Sequence, residues 1–301
     1  MKKIYIMLGL IVLISVSVFS QGFILSPHRD VFVDVDIGTP VASPKYGGVI
    51  KIKNKSPYDM EYVIKIRKPS DYKRKPMFGY VDIPNPDFVK VPEKFDVKAN
   101  SERIIPFKFN IPDDIKYYNR KWEAEIIVTG IKGNIGIELM GQLFIETKGK
   151  EIKESVEKNN LDKWWLCPSI IEFDKYKDEK SVYIHNTSSQ TLTFLIVSES
   201  PPMAVVELFI PLSNGYERLE DEEWVEPIIS GEEKIRRIKR GREIQPQKKI
   251  VLKPGEVREM KVKIDVPDKK EFKGKKFESY IFVRSPFYDD TRFVRLRVEK
   301  R

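Results

Sequence analysis

Cysteine is nearly absent from this 301-residue chain: Cys167 stands alone, so no intramolecular disulfide can form. Histidine is almost as scarce. His28 and His185 share no metal-ligand spacing, and one thiol makes no thiolate cluster. No G-x-S-x-G elbow, phosphate-cradling glycine loop or H-E-x-x-H segment occurs. The acidic run 219–223, LEDEE, lacks the alternating oxygen ligands and the glycine of a calcium loop. These absences point away from an enzyme, and no cofactor or metal is expected. Nor does any stretch show an amphipathic helix over three turns.

After residue 20 there is no long hydrophobic run. Residues 1–20 read as a signal peptide, with Lys2 and Lys3 before an apolar stretch and Val18 and Ser20 at positions suited to cleavage near Ser20/Gln21. A retained anchor is the alternative, since the run is nearly long enough to span a bilayer. The expected location is secreted or periplasmic, with no transmembrane segment after cleavage. Net charge is +9, favouring anionic neighbours such as cell-surface polymers; nothing in it asks for nucleic acid.

What is present is repetition. Gly79-Tyr80 precedes Phe88-Val89 and Pro92, as Gly215-Tyr216 precedes Trp224-Val225 and Pro227. VKANSERIIPFKFNIPDD (97–114) parallels LKPGEVREMKVKIDVPDK (252–269), and KWEAEIIV (121–128) parallels KFESYIFV (276–283). A unit this long suits a small β-sandwich rather than a solenoid repeat. Within each unit apolar residues alternate, as in 31–37, 48–54, 61–67, 103–111, 123–130 and 136–147, and again in 181–186, 192–200, 257–267, 277–284 and 292–300. In 31–37 the alternation puts Val31, Val33, Val35 and Ile37 on one face, opposite Phe32, Asp34 and Asp36. The fold class is all-β: two tandem immunoglobulin-like sandwiches, 22–148 and 166–301, joined by a charged linker at 149–165.

Early motifs are displaced by 136 residues and later ones by 155, so the second unit carries 19 extra residues. They fall in 228–249, read as a basic loop with Lys234, Arg236, Arg237, Lys239, Arg240, Arg242, Lys248 and Lys249 against three glutamates. Exposed, it suits an anionic polymer in a salt-dependent way. Asn54 and Asn186 end strands where an asparagine fixes the following turn through its own backbone. Pro112 and Pro267 close long strands. Phe88 and Trp224 read as caps on one end of each sandwich. Trp164 and Trp165 cannot both face one core, since strand neighbours point to opposite faces. One packs inward; the other seals the interdomain contact or meets a ligand. Trp164, Trp165 and Trp224 are therefore the aromatic contact candidates, with sugar stacking one use. Cys167 reads as a small buried hydrophobe.

SPHRDVFVDV and GGVIKIKNKSPYDMEYVIKI within 26–66, with LKPGEVREMKVKIDVP at 252–267, resemble bacterial cell-envelope proteins with tandem immunoglobulin-like domains. These belong to the pilus-chaperone-like and major-sperm-protein-like sandwich superfamily. The resemblance implies a partner such as an envelope protein or fimbrial-type subunit. In pilus chaperones an arginine near the start and a lysine on the last strand of the first domain hold the partner's carboxylate, and that strand donates alternating apolar residues. Arg29 matches the first; Ile135, Ile137 and Leu139 match the donor row. The strand 134–147 departs from the pattern in having no lysine and in holding Gly136 and Gly141, and the 19-residue insertion is foreign to it. The expected function is non-catalytic binding or scaffolding, a partner protein meeting strand edges and an anionic polymer meeting the basic loop. Pilus-subunit assembly by strand donation and carbohydrate binding are the alternatives.

Overall fold

The computed structural model describes residues 23–26, 28–132, 135–153, 162–199, 210, 212–219, 224–239, 242–267 and 269–299. The expected signal segment, most of the expected linker and the acidic run from residue 220 lie outside them. The first half contributes β1 (Phe23–Ser26), β2 (Arg29–Val35), β3 (Val41–Ala42), β4 (Ile50–Asn54), β5 (Met60–Arg67), β6 (Val81–Asp82), β7 (Val89–Lys90), β8 (Lys94–Val97), β9 (Glu102–Ile105), β10 (Lys108–Phe109), β11 (Lys121–Lys132) and β12 (Ile135–Thr147). The second contributes β13 (Trp164–Cys167), β14 (Ile170–Phe173), β15 (Lys177–Asn186), β16 (Leu192–Glu199), β17 (Glu217–Arg218), β18 (Val225–Ile229), β19 (Glu233–Lys239), β20 (Arg242–Leu252), β21 (Val257–Asp265), β22 (Lys276–Ser285) and β23 (Asp290–Glu299).

Strands of each half pair only within that half. Sheets β2-β12-β11-β5-β8, β1-β4-β9 and β3-β10-β7 build the first sandwich; β13-β15-β21-β18 and β14-β23-β22-β16-β20-β19 build the second. Each has its own apolar core, one around Phe32, Tyr62, Phe109 and Trp122, the other around Trp164, Phe194, Val262 and Leu296. The fold is all-β, two immunoglobulin-like sandwiches in tandem.

The sequence repeat reappears atom by atom. The short strands after Gly79-Tyr80 and Gly215-Tyr216 run parallel to β11 and β22 respectively. Both glycines hold φ near +80°, which side chains rarely tolerate. Asn54 Nδ2 donates to the carbonyls of Tyr58, Val97 and Lys98; Asn186 Nδ2 donates to those of Gln190, Leu252 and Lys253. Each Oδ1 accepts the amide two residues on, Ser56 or Ser188.

Three expectations need correction. The run 103–111 is two strands, not one: β9 and β10 lie in different sheets, on either side of Pro106, which has no amide to give a ladder. In β2, Asp34 takes φ 61° and the register to β12 shifts there, so Val35 joins Phe32 in the core while Val31 and Val33 turn outward. That outward face is covered by the second sandwich, which is why both faces of β2 are apolar. Lastly, 228–249 is not a loop. It continues β18 and folds back as the hairpin β19–β20, which widens the second sandwich's sheet by an edge strand.

Candidate functional site

The two sandwiches meet on a third apolar cluster: Val31, Val33, Tyr80 and Phe144 from the first, and Ile170, Ile210, Tyr280, Phe282 and Phe293 from the second. Each Gly-Tyr loop docks on the opposite half. A Cβ on Gly79 would lie 2.5 Å from Phe293, and Leu212 and Asn214 reach a cavity lined by Val31 and Gly47.

At the centre of this contact Arg295, on β23, is fully buried. It grips Glu146 of β12 through Nε at 2.9 Å and Nη2 at 2.6 Å, and Glu278 of β22 through Nη1 at 2.5 Å. Tyr80 donates to Glu146 at 2.6 Å and Lys121 donates to it at 2.5 Å. Burial opposes ionisation of Glu146, yet Arg295 and Lys121 outweigh it and hold the carboxyl below its usual range. Desolvation pushes Lys121 down to about 8 against the pull of Glu146. A second junction lies at Asp162, paired with Arg120 from the first sandwich and with Arg292 from the second at 2.9 Å.

Those two arginines also settle the tryptophans. Trp164 lies in the second core with Arg292 4.7 Å over its ring, and Trp165 faces the other way, its ring tilted against His185 at 4.8 Å with Arg120 at 5.1 Å. Each is only 1% exposed. The opposite-face reasoning holds and Trp165 seals an interdomain contact, but neither ring is available to a ligand, so both are withdrawn as contact candidates. Trp224 is partly buried, its ring 5.8 Å from Phe272 against the second core. Phe88 packs with Tyr117 and Trp122.

Arg29 and the last strand of the first sandwich do come together. Arg29 Nε donates to Gln142 Oε1 at 2.7 Å, and Gln142 Nε2 donates to the buried Glu123 at 2.9 Å. Glu123 also accepts Met77 N–H and pairs with Arg74. Beside Arg29, β12 changes surroundings. From Gln142 onward it lies between β11 and β2; residues 135–141 pair with β11 alone among the described strands. Gly141 sits where β1 crosses to β2: a Cβ there would lie 2.9 Å from Ile126 and 3.3 Å from Leu25. The glycine that weakens a donor strand is thus required by the crossing. Ile137 and Leu139 are half-buried against the first core, so they do not stand as an unoccupied row; the side chain of Ile135 is outside the described residues.

The hairpin is less basic in effect than in sequence. Glu232 pairs with Lys234 at 3.8 Å and with the buried Lys248 at 3.1 Å, and Glu233 pairs with Lys249 at 2.8 Å. Arg236 is exposed and Arg237 half-buried, and the side chains of Lys239, Arg240 and Arg242 are outside the described residues. Reactive groups are muted elsewhere too. Burial pushes the Cys167 thiol up to about 12 and His185 down to about 4. Among the described residues no three His, Cys, Asp or Glu side chains group as metal ligands, and no helix is long and apolar enough to cross a membrane.

No family model matches the chain, and no curated protein matches it. Solved structures do. A Porphyromonas gingivalis W83 protein of unknown function is 11% identical at TM-score 0.32, covering 92% of this chain and 99% of its own. The periplasmic chaperone SfaE is 10% identical at TM-score 0.30, covering 93% and 100%. The SafB chaperone complex with the Salmonella enterica SafA pilin gives 10% identity and TM-score 0.30, covering 92% and 96%. The sequence signals that found Arg29 were its place and charge; the partners Gln142 and Glu123 carried none, being ordinary polar positions of alternating strands.

Proposed function

We propose that this protein is a non-catalytic binding protein that holds an extended segment of a partner protein against the edge of β12 that no described strand fills. The observation that carries this reading is the half-flanked strand: 135–141 offers backbone donors and acceptors in a row that β2 would have filled. Proteins with such an edge either cover it or use it, because it is a template for another strand. Arg29 stands at the end of the row and places a positive charge where a segment's carboxylate would finish.

Backbone capture is favoured over the lending of side chains. Ile137 and Leu139 already pack against the first core, so their apolar surface is partly spent at home. A fimbrial-type subunit is the partner class this reading names. An anionic polymer at the hairpin is the weaker part, because Glu232 and Glu233 already neutralise its base.

The test follows from strand parity. Gln142 N–H points away from β11, toward the His28 carbonyl, so the amides of Met140 and Glu138 point the same way. Glu138→Pro therefore removes an outward donor without touching the β11 ladder. A fluorescent alternating valine–threonine peptide with its own C-terminal carboxylate, titrated by anisotropy, is expected to bind the natural protein saturably. Glu138→Pro should weaken it roughly tenfold, about 1.4 kcal/mol. Equal binding by Glu138→Pro ends the edge reading.

A further inference from the structure

Between the sandwiches lies a cavity of about 510 Å³, walled by Met77, Phe78 and Tyr80 of the first and floored by Leu195, Val197 and Phe282 of the second. We infer that this cavity is an anchor pocket for one uncharged, bulky apolar side chain of the partner protein. The inference rests on the reading that the chain binds a partner protein, and it names what a second part of that partner presents.

Four observations carry it. The volume is that of ligand pockets at domain junctions, and the lining divides into an apolar wall and floor and a polar rim of Gln247, Arg284, Asp289, Asp290 and Thr291. Each charge of the polar rim already has a partner: Arg284 pairs with Asp289 at 2.8 Å, and Asp290 pairs with Arg292, which lies behind the lining, at 3.1 Å. An uncharged occupant fits that rim. Phe78, 45% exposed, stands at the mouth with its ring 5.7 Å from Phe282. Gly79 holds the loop against Phe293, so the ring is placed before any partner arrives. Preformed apolar pockets at interface centres are where single anchoring side chains contribute most.

The pocket also explains a use for the insertion. Gln247, on the hairpin strand β20, closes one side of the cavity. The position 155 residues earlier is Pro92, which lies before β8 begins at Lys94. In the first sandwich the matching position therefore lies outside the strand.

The experiment uses the whole protein with methyl-labelled Met, Leu and Val, titrated by NMR with N-acetyl-phenylalaninamide, then with the blocked amides of aspartate and lysine. A single blocked residue cannot add a strand, so this outcome is independent of the edge test. Expected are saturable shifts at Met77, Leu195 and Val197 for the phenylalanine probe, weaker by roughly tenfold in Leu195→Arg. Should Leu195→Arg not fold, Phe78→Ser, which alters an exposed ring, decides by the same readout. Shifts that never saturate, charged amides that bind equally well, or unchanged affinity in the deciding variant overturn the pocket.

Discussion

The same corner of the two sandwiches has been put to different uses. In each, a buried glutamate of the second-last strand, Glu123 or Glu278, accepts a backbone amide of the Gly-Tyr loop, from Met77 or Ser213. In each, a polar side chain of the last strand reaches that glutamate. In the first sandwich it is Gln142, which passes the contact to exposed Arg29; in the second it is Arg295, which passes it to Glu146 across the domain boundary and is sealed from water. One corner ends on an exposed arginine at the surface, and the other is consumed in joining the halves. A neutral amide suits the first because a half-wet contact costs little to leave imperfect. A buried guanidinium is held only by satisfying nearly every donor it has.

The largest test of this contrast is Arg295→Met. It removes the bidentate partner of buried Glu146, leaving Lys121 as its one cation, and leaves buried Glu278 only Arg297 at 3.4 Å, and is expected to cost about 3–5 kcal/mol in urea unfolding. Gln142→Leu, at the matching position, should cost under about 1.5 kcal/mol. Similar losses from both would break the comparison. Next comes a pair where the sandwiches should agree: Asn54→Ala and Asn186→Ala each strand three carbonyls, and each should cost about 2–3 kcal/mol. A gap above about 1 kcal/mol between them would show that the turn nodes are not equivalent after all.

Smaller still is the response to acid, where the halves should oppose each other. Desolvation raises Asp30, on β2, to about 6, so between its ordinary value and 6 the folded protein holds a proton the unfolded chain has lost. Stability therefore falls as pH rises through that window, and Asp30→Asn should stabilise the protein at neutral pH. The gain is about 1–2 kcal/mol after allowing for solvent screening at a partly exposed group. Burial holds His185 at about 4, so the unfolded chain takes up a proton first and stability falls as pH drops from about 6.5 toward 4. His185→Phe should flatten that acid limb and leave the Asp30 window unchanged, as read from thermal midpoints across a pH series.

The two sandwiches were legible because their patterning is local: alternation marks strands, and a displaced copy of Gly-Tyr or of the strand before Pro267 needs no tertiary knowledge. The asparagine turns were legible for the same reason. Arg295 was not. In RFVRLRVEK its alternation with apolar residues is what a solvent-facing strand face looks like, and only the other sandwich makes that face interior. The hairpin was hidden by its charge, although Ile235, Ile238 and Ile244 around Gly241 were a turn with strand residues on either side. The bulge at Asp34 left no trace, since an aspartate in the left-handed region is a decision of register rather than of composition.

Strand β12 has one further property. Among the described strands its first residues pair with β11 alone, and its penultimate residue, Glu146, is the carboxylate that Arg295 grips. The strand is thus a tie-rod, continuous from the proposed docking edge to the bolt between the halves. A load applied along a docked chain would act on twelve β11 rungs in shear, the direction in which a ladder of hydrogen bonds is strongest, before reaching that bolt. Peeling at the tip would instead open the rungs one by one, so the grip should be firm against a lengthwise pull and easily undone from its end.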